Sequence, residues 1–118
     1  MNEDVVKFLF DKFTCRSLGE NTYHITLPLF YPDTDNQFVL GVQLNERQLI
    51  LSDLGEFVSK VYRVKTNFFF EEETKKILEK YDAKYEDGKI IMESFVYDIQ
   101  PAISQFCFLL ILLTDKLV

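Results

Sequence analysis

Tryptophan is absent from this sequence of 118 residues, histidine occurs once and cysteine twice. Cys15 and Cys107 form no CxxC and no Cys/His cluster, so zinc is not supported. Four glycines supply no G-x-S-x-G elbow, no phosphate-binding loop and no dinucleotide-binding pattern, and no cofactor is expected. Basic residues are in the minority, 13 against 19 acids for a net charge of −6. Phosphate neutralisation supplies most non-specific nucleic-acid affinity, so direct nucleic-acid binding is disfavoured. No apolar run is long enough for a membrane span. The longest, Phe106 to Leu113, is apolar all round a helix but far short of the roughly 20 residues a span needs. An all-round apolar helix is buried, so this one is expected in the core or in an oligomer seam. The start, Met1-Asn2-Glu3-Asp4, is acidic where a signal peptide would be basic. The expectation is a cytoplasmic protein with both thiols reduced and no membrane contact.

What is present reads as an ordinary globular chain, 47% hydrophobic and 27% charged. A single domain over residues 1–118 is long enough to bury one core. Twelve Phe and six Tyr are more rings than so small a chain readily hides, which predicts a few on an interface. The acidic balance suits solubility, a basic protein partner, or occupation of a nucleic-acid groove on another protein.

The spacing predicts a helix over Asp4–Phe13, with Asn2 as cap and Glu3 and Asp4 in the first turn, fading near Cys15. A turn at Ser17–Asn21 leads into three strands, Tyr23–Tyr31, Gln37–Leu44 and Gln48–Ser52, an antiparallel meander. Pro28 lacks a backbone donor, which predicts an edge or a bulge there. Asp53 starts a helix whose apolar side is Leu54, Phe57, Val58, Val61 and Tyr62. Asn67 opens another, with Glu71–Lys75 and Glu72–Lys76 as i,i+4 pairs. Asp87-Gly88 between Ala83–Tyr85 and Lys89–Met92 predicts a small hairpin. A long apolar helix over Asp98–Lys116 closes the chain, with Pro101 tolerable in its first turn. Clustered strands and segregated helices mean an α+β fold.

The segment Leu49-Ile50-Leu51-Ser52-Asp53-Leu54-Gly55-Glu56 puts polar side chains where a strand hands over to a helix. With the meander before it and the two helices, Tyr85-Glu86-Asp87-Gly88-Lys89 hairpin and apolar final helix after it, the chain resembles the DUF1828 family over about residues 8–117. The family's leucine-threonine/serine-aspartate-x-glycine signature falls on Leu51, Ser52, Asp53, Leu54 and Gly55. The position before the glycine, often acidic in the family, is Leu54 here, which weakens a metal or catalytic reading. The resemblance implies no assigned chemistry. It implies a prophage or mobile-element setting, where small proteins often regulate or inhibit host machinery, defence proteins included.

Several residues carry both a functional and a structural reading. Asp53 and Glu56 form either a polar junction site or a capping box, and the box explains both acids by one mechanism. On the capping reading Asp53→Ala costs roughly 1 kcal/mol. Asp33 and Asp35 share one loop, but Pro-Asp-x-Asp-Asn is turn chemistry and the late Glu and Gly of a calcium loop are missing. His24 has no nucleophile motif near it and reads as a strand residue. The helix-then-three-strand order is similar to a nuclease core, yet the third strand, Gln-Leu-Ile-Leu-Ser, lacks Glu-x-Lys. Phe68-Phe69-Phe70 beside Glu71-Glu72-Glu73 is the strongest partner-binding candidate. Successive helical residues are about 100° apart, so three adjacent rings cannot all face inward.

The expected function is therefore a non-enzymatic protein-interaction module, a mobile-element regulator or inhibitor of a host or phage protein. The alternatives are a small-ligand sensor or enzyme using Asp53, His24 and the loop acids, and a homodimeric structural subunit joined through the last helix.

Overall fold

A computed structural model describes residues 2–30 and 36–117. The expected turn with Asp33 and Asp35 lies outside the described residues. The chain runs α1 (Glu3–Lys12), β1 (Thr14–Ser17), β2 (Thr22–Phe30), β3 (Gln37–Asn45), β4 (Gln48–Ser52), α2 (Glu56–Val64), a 3-10 turn (Phe68–Phe70), α3 (Glu72–Lys80), β5 (Ala83–Glu86), β6 (Lys89–Phe95), a second 3-10 turn (Val96–Asp98) and α4 (Ile99–Leu117). The fold is α+β: the strands form one antiparallel six-stranded sheet in the order β1-β2-β3-β4-β6-β5.

Two strand assignments differ from the sequence expectation. Thr14–Ser17 is an edge strand rather than a fading helix, paired from Thr14↔Thr26 to Ser17↔Tyr23. The β5–β6 hairpin is not separate. Its strand β6 pairs with β4, Leu51 opposite Met92, and extends the meander into a single sheet. No local pattern encodes that pairing, because the two strands are far apart in sequence. The irregularity expected at Pro28 is there: between Thr26↔Val39 and Phe30↔Gln37 the β2–β3 register shifts. On its other side β2 loses its β1 partner after Thr26, so the missing Pro28 donor has no ladder bond to make. Asn2 precedes α1 but does not cap it by its side chain, which donates to the Glu46 carbonyl at 3.2 Å.

Strand alternation sorts the two faces. Opposed across the sheet, Tyr23, Val42, Leu51, Met92 and Ala83 form one row against the helices. The next row, Arg16, His24, Gly41, Ser52, Ile91 and Lys84, faces the open side. An antiparallel sheet with one face packed and one solvated is a common arrangement. The helices supply Leu9 from α1, Phe57, Val58 and Val61 from α2, and Leu78 from α3 to the core. From α4 come Ile99, Ala102, Ile103, Phe106, Leu109, Leu110 and Leu113, spaced as one helical face. On the opposite side of α4, Phe108, Ile111 and Leu112 are exposed, so the helix is not buried all round within one chain.

Gly41 sits in the middle of the open face beneath Leu54, and a Cβ there would come within 2.6 Å of Leu54 Cδ2. Leu54 is partly exposed and can swing aside. Gly41→Ala is therefore expected to cost about 1 kcal/mol, the low end for overpacking. Urea denaturation checks this, and in a Leu54→Ala background most of the loss should disappear.

Candidate functional site

The junction between β4 and α2 is built around the Asp53 carboxylate, which is 2% exposed. Its Oδ1 accepts the N–H groups of Gly55 and Ile90, both at 2.9 Å, and its Oδ2 accepts Val58 N–H at 3.0 Å. The Asp53 N–H in turn donates to the Ile90 carbonyl at 3.2 Å. One side chain thus ties the end of β4, the first turn of α2 and the start of β6. Burial pushes the carboxyl pKa up, and the N–H bonds from Ile90, Gly55 and Val58 pull it part of the way back.

The rest of the signature has local work too. Leu51 is a core residue, and Ser52 Oγ accepts Leu54 N–H at 2.9 Å. Leu54 and Gly55 both adopt positive φ, 62° and 78°. A side chain at Gly55 would also press its Cβ to 3.2 Å from the Gly88 carbonyl. The turn brings Leu54 over Gly41 and lets the chain enter α2 at Glu56.

The capping expectation needs correction. Helix α2 starts at Glu56 with Gly55 at the cap, two residues later than proposed. Asp53 still satisfies a first-turn donor, at Val58. The reciprocal arm from Glu56 is not made, because Asp53 N–H is already bonded to Ile90. Nor is Asp53 a free functional acid, since both its oxygens are engaged.

His24 lies on the open face, away from Asp53, so the two are not brought together. Burial and the neighbouring Arg16 charge lower its pKa, which keeps the ring neutral at pH 7. Ser52 shares its cross-strand row, but Gly41 stands between them. Among the described residues no group of three or more His, Cys, Asp or Glu is arranged to hold a metal ion.

The Phe cluster divides. In their 3-10 turn Phe68 and Phe69 are buried, so neither ring can be a contact residue in the folded protein, contrary to the sequence expectation. Phe70 is 61% exposed. Phe69 stacks on Tyr85, with centroids 4.8 Å apart and planes at 4°, while Phe70 meets the same ring edge-on at 6.0 Å. The Tyr85 and Tyr62 hydroxyls hydrogen-bond each other, and this bond pushes the Tyr85 pKa up to about 12. The sequence places Tyr62 on the apolar side of α2 and Tyr85 in the hairpin but does not mark their contact, because it joins α2 to β5.

The acids also pair differently from the expected i,i+4 scheme. Glu71 bonds Lys65 at 2.9 Å, Glu72 approaches Lys75 at 4.0 Å, and Glu73 pairs with Lys116 of α4. Helix α3 begins only at Glu72, with Glu71 as its cap, which changes the expected phase. Glu72 and Glu73 remain largely exposed and border Phe70 in sequence.

No family model, no curated protein and no solved structure matches this chain. These comparisons neither support nor contradict the DUF1828 resemblance, which rests on the sequence signature and the expected order of elements alone.

Two stability measurements test this account. Asp53→Ala strands buried donors and is expected to cost about 3 kcal/mol, well above a simple cap. Asp53→Asn keeps one acceptor oxygen and should cost less, as chemical denaturation of both variants would reveal. Phe68→Ala is expected to destabilise by about 3–5 kcal/mol, whereas exposed Phe70→Ala should stay within about 0.5 kcal/mol of wild type.

Proposed function

We propose that this chain is a non-enzymatic protein-interaction module that docks a partner through the Phe70 corner. The observation that carries the reading is the Phe70 ring itself, 61% exposed on a turn whose neighbours are fixed. Phe69 beneath it is locked against Tyr85, and Glu71 is tied to Lys65. A ring presented from a rigid turn loses little conformational entropy on docking, and aromatic anchors dominate interface energetics. The exposed carboxylate of Glu72, 82% exposed and only loosely approached by Lys75, favours a partner whose apolar socket is bordered by Lys or Arg. The mobile-element setting implied by the DUF1828 resemblance makes a host or phage protein the expected partner, with this chain its regulator or inhibitor. Occupation of the partner's surface suffices for that role.

Tagged wild-type protein should retain a stoichiometric partner from nuclease-treated host lysate, identified by mass spectrometry. Phe70→Ala combined with Glu72→Ala should weaken that complex at least about 10-fold at unchanged melting temperature, in line with loss of an aromatic anchor. Equal retention by the double variant would assign the interface elsewhere. A blank with wild type would remove the binding reading.

A further inference from the structure

The outer side of α4 is unusual for a protein of net charge −6, because its centre carries no charge. Phe108 is 60% exposed, with Ile111 and Leu112 beside it. Phe108 and Ile111 themselves form one wall of a groove of about 270 Å³ whose other walls include Phe13, Leu27, Pro28 and Cys107. We propose that this face is a homodimer interface, with Phe108 of each subunit seated in the groove of the other. The proposal is independent of the Phe70 reading.

Three observations favour a second copy as the occupant. A two-fold contact is self-complementary, so protrusion and recess must lie on the same patch, as Phe108 and the groove do. The groove is large enough for a ring, since a cavity of about 150 Å³ holds benzene. Charge makes the third point. Two copies of net charge −6 repel, and they approach most readily through a face without ionised groups. Among the described residues the groove walls contain none, and α4 has charges only at its far end, Asp115 and Lys116, of which Lys116 is paired with Glu73.

A lipid surface fits less well. Contrary to the sequence expectation, residues Val96–Leu117 form a helix long and apolar enough to cross a membrane by length and composition. Yet the inner side of that helix supplies seven core residues, and withdrawing it would empty the fold. Lying flat on a membrane calls for basic residues flanking the apolar face, and α4 offers only the paired Lys116.

The test is sedimentation equilibrium of the full chain over a wide concentration range. Wild type should sediment at twice the 14.0 kDa chain mass. Phe108→Glu should shift it to the monomer mass with unchanged circular dichroism, and Phe95→Glu, an exposed ring on another face, should remain dimeric. A short bis-maleimide should link Cys107 to Cys107 of the partner subunit in a Cys15→Ser background, and Phe108→Glu should abolish that band. A wild-type monomer at all concentrations, or a dimer that survives Phe108→Glu, would overturn the proposal. Flotation of the monomer with phosphatidylcholine vesicles would overturn it in favour of lipid, and a heteromeric complex that loses its partner on Phe108→Glu would overturn it in favour of another protein.

Discussion

The buried Asp53 carboxylate, at the end of β4, accepts backbone N–H groups from Gly55 and Val58 at the start of α2 and from Ile90 in β6, so it joins three parts of the chain. Removing any one part leaves a donor or an acceptor stranded away from water, which is costly in a way that losing an exposed bond is not. The junction therefore couples the meander to the hairpin and both to α2. Without it, β6 would be held beside β4 by ladder bonds and side-chain burial alone. The positive φ of Leu54 is the local strain that this coupling sustains, whereas Gly55 adopts its positive φ without steric cost.

From that junction the remaining architecture follows in order. Helix α2 leaves Asp53 with Phe57, Val58 and Val61 on the sheet, and Tyr62 reaches Tyr85 on the far edge strand. The Tyr85 ring then supports Phe69, and Phe69 fixes the turn that exposes Phe70. The most exposed part of the proposed binding corner is thus connected to the most buried acid by a short series of contacts. Helix α4 closes the core on the same side of the sheet, and its outer apolar stripe is what the monomer leaves uncovered.

Much of the element order was legible. Residue type and flanking turns marked β2, β3 and β4, a period-3.6 apolar face marked α2, and an unbroken apolar run marked α4. Asp87-Gly88 marked the hairpin through its turn conformation, with both residues at positive φ. The short strand β1 was not legible. Thr14-Cys15-Arg16-Ser17 has little apolar alternation, and the strand exists because β2 offers a free edge. The boundaries of α3 were misread for a related reason, since Phe68–Phe70 satisfies a helical pattern yet forms a 3-10 turn, held by the burial of two rings.

For the candidate sites the division is sharper. The sequence by itself determined that Asp53 must matter at a strand-to-helix boundary and that three adjacent rings could not all be buried. Both conclusions rest on local geometry, which a few neighbouring residues fix. Only the tertiary structure decided that Asp53 also holds Ile90, that His24 lies apart from it, and that Phe70 is the exposed ring of the three. Those outcomes depend on the β4–β6 pairing and the Tyr62–Tyr85 contact, which join residues distant along the chain. Such contacts form only when burial of the whole core outweighs the entropy of closing the loops between them, and no local stretch of sequence carries that balance.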